Sequence, residues 1–126
     1  MVPLLPLFFT AALGQDENVP APAPVFPPSV ICTGTEPFWS VVVKDGTASA
    51  ATPDRPTAPT VAISVTATAH GDAFLVTPKG KGAGFRWLTL RAGACTDDAS
   101  GAVHPYSALA LSAEAGFVTG CCRKSG

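Results

Sequence analysis

The chain is predicted to fold as an all-β domain, a small antiparallel barrel or sandwich of about seven short strands, disulfide-stapled. Three observations lead there. Short runs rich in Val, Thr and Ala recur between residues 38 and 122, broken by Gly, Pro and Asp clusters, with no convincing helical run. The chain has 126 residues and carries four cysteines behind an apolar leader. Residues 30–126 supply one modest core, of a size at which cross-links add useful stability.

The elements follow in order. Val2 to Leu13 is an apolar run too short for a bilayer, which takes roughly 20 residues, and it contains Pro3 and Pro6. Ala12-Leu13-Gly14 puts small residues where a signal peptidase reads. Residues 1–14 are therefore expected to be a signal peptide, leaving no transmembrane segment in the mature chain. In residues 15–29, Pro20, Pro22, Pro24, Pro27 and Pro28 favour extended polyproline geometry, which reads as a linker. Residues 30–126 are expected to form a single β domain.

Within that domain Phe38 to Lys44 reads as a strand, bounded by Pro37 and the turn pair Asp45-Gly46. Thr47 to Thr52 is a weaker strand, and Pro53 to Pro59 a loop. Thr60 to Ala69 alternates, with Val61, Ile63 and Val65 on one side. Gly71-Asp72 marks a hairpin returning through Ala73 to Thr77. Phe85 to Arg91 resumes the pattern. Gly93 to Pro105 reads as a long irregular segment, and Tyr106 to Ser112 with Phe117 to Cys122 as a closing hairpin.

Formal net charge is −1, with few charges of either sign. Nucleic-acid binding needs clustered Lys and Arg and is excluded as a function class. Lys79, Lys81 and Arg86 form a loose basic group in a Gly-rich stretch that reads as a solvated loop, with no case for an anionic lipid surface.

Four cysteines allow three pairings, and a bridge within the vicinal pair Cys121–Cys122 would strain the backbone, leaving two. Neighbours on a strand face opposite ways, so Cys121 and Cys122 reach different partners. Cys95–Cys121 with Cys32–Cys122 is favoured over the exchanged arrangement. Chain entropy assigns these bridges about 3.5 and about 4.6 kcal/mol if each acted alone. Zinc is disfavoured, since there is no Cys-x-x-Cys and the two histidines are far apart.

The stretch Gly34-Thr35-Glu36-Pro37-Phe38-Trp39-Ser40-Val41 resembles the signature of a family of uncharacterised bacterial envelope proteins whose domain opens Gly-(Thr/Asn)-Glu-Pro-Phe-Trp. That family continues with Cys-Ser-Asp-Gly-Met-Ser-Asp, then Tyr-Pro-Tyr or Tyr-Pro-Phe, then a hairpin ending Gly-Cys. Here those places hold Cys95-Thr96-Asp97-Asp98-Ala99-Ser100-Gly101, His104-Pro105-Tyr106 and Gly120-Cys121. This later part departs at Ala99, Gly101 and His104. The resemblance implies export, often lipoprotein attachment, and the company of META-type or lysozyme-inhibitor domains. The family's two cysteines match Cys95 and Cys121, which implies that bridge. An Asp missing at position 101 weakens any metal site there.

Glu36 is the carboxylate most open to chemistry. Flanked by Pro37, Phe38 and Trp39, it is expected either to be partly desolvated, which suits acid–base work, or to act as a clamp on turn amides or an arginine. The clamp is favoured. Phe38 and Trp39 cannot both face inward on one strand, so one of them sits at an edge or in a groove. Asp97, Asp98 and His104 match no cation loop and read as turn residues. No Gly-x-Ser-x-Gly, His-Glu-x-x-His or phosphate loop occurs.

The expectation is an exported, periplasmic or secreted monomer without catalytic residues, metal or cofactor. It would bind an envelope protein or glycan through Glu36, Trp39, Asp97, His104 and Tyr106. The alternative is a small hydrolase or isomerase using Glu36 as acid/base with Asp97, Asp98 or His104.

Overall fold

The computed structural model describes residues 26–125, so the leader and most of the Pro-rich linker lie outside the described residues. From Ser29 onward the chain is strand after strand: β1 (Ser29–Thr35), β2 (Phe38–Lys44), β3 (Thr47–Ala51), β4 (Val61–Ala67), β5 (Ala73–Pro78), β6 (Phe85–Thr96), β7 (Val103–Ser112) and β8 (Gly116–Lys124). Each pairs antiparallel with the next, and β8 returns to β1, closing an eight-stranded barrel. Closure removes the free sheet edges that would otherwise template pairing with other chains. The all-β, disulfide-bonded class expected from the sequence is the one observed.

Two elements differ from expectation. The additional strand is β1, whose Cys32-Thr33-Gly34 reads locally as a turn but pairs along its whole length with β2. Gly93 to Pro105 is not irregular: β6 runs on to Thr96 and β7 starts at Val103, across a register shift between Ala92 and Cys95. A bulge glycine, Gly93 at φ +142°, hides that continuity from a local reading. Phe26 also packs on the barrel, edge-on to Phe74 with ring centroids 5.3 Å apart. The chain is thus tied to the body just ahead of β1.

Alternation builds the interior. On β2, Trp39, Val41 and Val43 are buried while Phe38, Val42 and Lys44 face out. Small residues then make room for large ones: Ala48 and Ala50 on β3 and Ala108 and Ala110 on β7 are buried with Trp39, Phe85, Leu88 and Leu90. The buried Ser112 hydroxyl accepts hydrogen bonds from the amides of Glu114 and Ala115, and Thr52 accepts one from Arg55. No buried side-chain polar atom among the described residues is left without a partner.

The turns obey local chemistry. Asp45 and Gly46 link Lys44 to Thr47, both at positive φ, as a two-residue type I′ hairpin requires. Glu36 and Pro37 form the other two-residue connection, between Thr35 and Phe38, with a cis peptide bond. The sparsest seam is β3–β4, where only Thr47–Ala62 and Ala48–Val61 are in register.

Candidate functional site

Two disulfides cross-link the barrel at different depths. Cys32 and Cys122 face each other across the β1–β8 seam, with Cα atoms 4.0 Å apart, and both are fully buried. Cys95–Cys121 joins strands that are not neighbours. In register, Arg91 on β6 and Ser107 on β7 stand level with Cys121 on β8. Cys95 lies beyond Arg91 on β6, yet its Cα is 5.6 Å from that of Cys121. The end of the β6–β7 hairpin must therefore fold back over β8, and the bulge at Gly93 is where it bends.

That fold-back makes a groove. The hairpin tip, Cys95 to Asp98, forms one wall and the end of β1 with the turn, Thr33 to Glu36, forms the other. Ser107 and the Thr119–Cys121 segment lie between them, around a volume of about 440 Å³. The lining combines three carboxylates, Glu36, Asp97 and Asp98, with the hydroxyls of Thr33, Thr35, Thr96, Ser107 and Thr119. Hydroxyls donate and accept hydrogen bonds, whereas ionised carboxylates only accept. Such a lining suits a ligand rich in donors, such as a sugar face or an amine-bearing chain.

Asp97 is held inside its own turn. The Ser100 hydroxyl donates to its carboxylate at 2.7 Å and the Ala99 amide at 3.2 Å. With His104 adding favourable charge, these contacts hold the Asp97 carboxyl below the usual carboxylate range, the Ser100 hydrogen bond being the largest cause.

The sequence-predicted residues divide. Glu36, Asp97 and Asp98 are brought to one groove. His104 is half-buried on β7 opposite Cys95, and Tyr106 packs against the core opposite Cys122, both outside the groove lining. Glu36 is exposed rather than enclosed by its aromatic neighbours. Trp39 is not available as the binding residue expected from the sequence: it is 2% exposed, and Phe38, at 47%, is the aromatic turned outward. The indole of Trp39 passes over Gly34 and its Nε1 donates to the Thr119 carbonyl at 3.0 Å. A Cβ at Gly34 would overlap Trp39 Nε1 and the Thr119 carbonyl oxygen, and one at Gly120 would overlap the Thr33 carbonyl. The groove hydroxyls carried no local signal, because only strand register collects them.

Among the described residues no group of three or more His, Cys, Asp or Glu is arranged to hold a metal ion, and no cysteine is free. No helix there is long and apolar enough to cross a membrane. No family model, curated protein or solved structure matches the chain.

Proposed function

We propose that the protein is an exported, noncatalytic binding domain of the cell envelope. It acts in the periplasm or outside the cell, and engages an envelope protein or glycan through the groove between Glu36 and the Asp97–Asp98 tip. The observation that carries this is the Cys95–Cys121 bridge, which holds the hairpin tip across β8 and so shapes the groove. A pinned wall lowers the ordering cost of binding.

Two disulfides in so small a barrel fit an oxidising compartment, and the likeness of Gly34 to Trp39 to an envelope-protein signature supports the same location. Binding is preferred to catalysis because Asp97 is engaged by Ser100 and Ala99 within its turn, and its charged form is favoured, which unsuits it as a proton donor.

The test compares the folded wild-type protein with Glu36→Ala/Asp98→Ala, each immobilised and exposed to envelope extract. An envelope protein or glycan held by the wild type is expected to be released by the double variant. Equal retention by both would overturn the assignment.

A further inference from the structure

In the sequence Lys79, Lys81 and Arg86 stand in a Gly-rich loop, and Arg55 stands apart among prolines. The fold joins Arg55 to Lys81 and Arg86. Arg55, Lys81 and Arg86 line one cavity of about 510 Å³ at the end of the barrel where β5 passes to β6. Arg55 is fixed there by donating from Nη2 to the Gly82 carbonyl at 3.2 Å. Asp54 and Glu114 lie on adjoining turns, and neither lines the cavity.

An apolar outer wall adjoins these cations. The inward set on β6 contains Phe85, Leu88 and Leu90, which turns Trp87 to the outside one residue after Arg86. Trp87 pairs with Leu111, Leu111 with Phe117, and the Trp87 and Phe117 rings lie 5.9 Å apart. Phe117 is 71% exposed and Leu109 also faces solvent on this wall. Ala113, from the turn leading to Phe117, lines the basic cavity itself. Cations, the exposed Phe117 and the half-buried Trp87 thus share one end of the barrel.

We infer that this end docks on an anionic phospholipid surface, with Phe117 and Trp87 entering the interface and Arg55, Lys81 and Arg86 meeting lipid phosphates. Aromatic rings favour the headgroup level, and juxtamembrane cations are drawn to negative lipids. The match between the positive cavity and the negative surface selects this occupant. The inference is independent of the groove, which none of these residues lines.

The chain has two tryptophans, and Trp39 is buried, so a change in intrinsic emission reports Trp87. The oxidised exported protein, without residues 1–14, is mixed with vesicles of phosphatidylcholine alone, or of equal parts phosphatidylcholine and phosphatidylglycerol. Co-sedimentation and a blue shift are expected with the anionic vesicles only, and high salt should weaken both. Lys81→Glu/Arg86→Glu should weaken partitioning by about 30-fold or more, and Phe117→Ser should weaken it at unchanged charge. Absent binding of wild-type protein, equal binding to neutral vesicles, or salt-insensitive binding would overturn the inference. A spectral response to inorganic phosphate alone, without vesicle binding, would instead mark a free-anion site and also overturn it.

Discussion

Trp39 donates its indole hydrogen to the carbonyl of Thr119, 80 residues away, across a glycine that leaves it room. This one contact ties β2 to β8 over the end of β1, where the backbone pairing of β1 with β8 stops at Thr33–Cys121. Gly34 and Trp39 therefore read best as parts of the barrel's closure.

Substitutions at this junction should separate sharply. Trp39→Phe removes the donor and leaves the Thr119 carbonyl short of a partner, an expected loss of about 1–3 kcal/mol. Trp39→Ala should cost about 3–5 kcal/mol through the cavity it leaves. Gly34→Ala drives a methyl into backbone, which cannot swing aside, and should cost about 3 kcal/mol or more. Phe38→Ser, on the outward face, should stay within about 0.5 kcal/mol. Urea midpoints for the four variants check the order.

The two bridges should differ in effect. Removing Cys32–Cys122, with a separation of 90 residues, is expected to destabilise more than removing Cys95–Cys121, with a separation of 26, by about 1 kcal/mol from chain entropy alone. Burial of the first pair adds to that difference. Loss of Cys95–Cys121 should leave the barrel folded while amide exchange speeds up between Thr96 and Val103. Thermal melts and hydrogen exchange on the paired Cys→Ala variants read both effects.

The tip of the hairpin should loosen in acid. Because Asp97's folded-state pKa lies below its unfolded value, its contribution is present above the ordinary carboxylate range and is lost as pH falls through the lowered value. Ser100→Ala removes the largest cause, so the Asp97 carboxyl should then titrate closer to its ordinary value. NMR titration of the Asp97 side chain measures the shift. Protection of the Ala99 and Ala102 amides, held by Asp97 and Ser100, should fall over the same pH span once the intrinsic pH dependence of exchange is divided out.

Local opening is expected first at the β3–β4 seam. Only two residue pairs hold it in register, with one further backbone bond from the Ile63 amide to the Gly46 carbonyl. Native-state hydrogen exchange should show Ala48 and Ile63 amides opening well below the global unfolding free energy, and Leu88 and Leu90 opening only with it.

How much was legible in the sequence depends on how local each cause is. Phe38 to Lys44 announced itself because its alternation and its Asp45-Gly46 turn are contained in neighbouring residues. The β1 strand did not, since Gly34 looks like a turn until Trp39 is seen to cross it. The fold-back of the β6–β7 hairpin was hidden for a similar reason: Gly93 reads as a loop, and only the position of Cys121 reveals the bend. Strand alternation did require Phe38 and Trp39 to face opposite ways, but which one turned inward was decided by Thr119 and Gly34, far away and near. Glu36, Asp97 and Asp98 were visible as candidates, whereas the hydroxyls between them, and Arg55 beside Lys81, are gathered by register alone.

Closure of β8 onto β1 underlies both the seam at Trp39 and the groove beside it, and nuclear Overhauser spectroscopy on the oxidised protein tests it most directly. Facing Cα atoms 4.0 Å apart mark a pair whose α-protons approach closely, so a strong cross-peak between the α-protons of Cys32 and Cys122 is the predicted result. Its absence from folded, fully oxidised protein, or a Cys32 bridge to Cys121 in its place, would contradict the closed barrel.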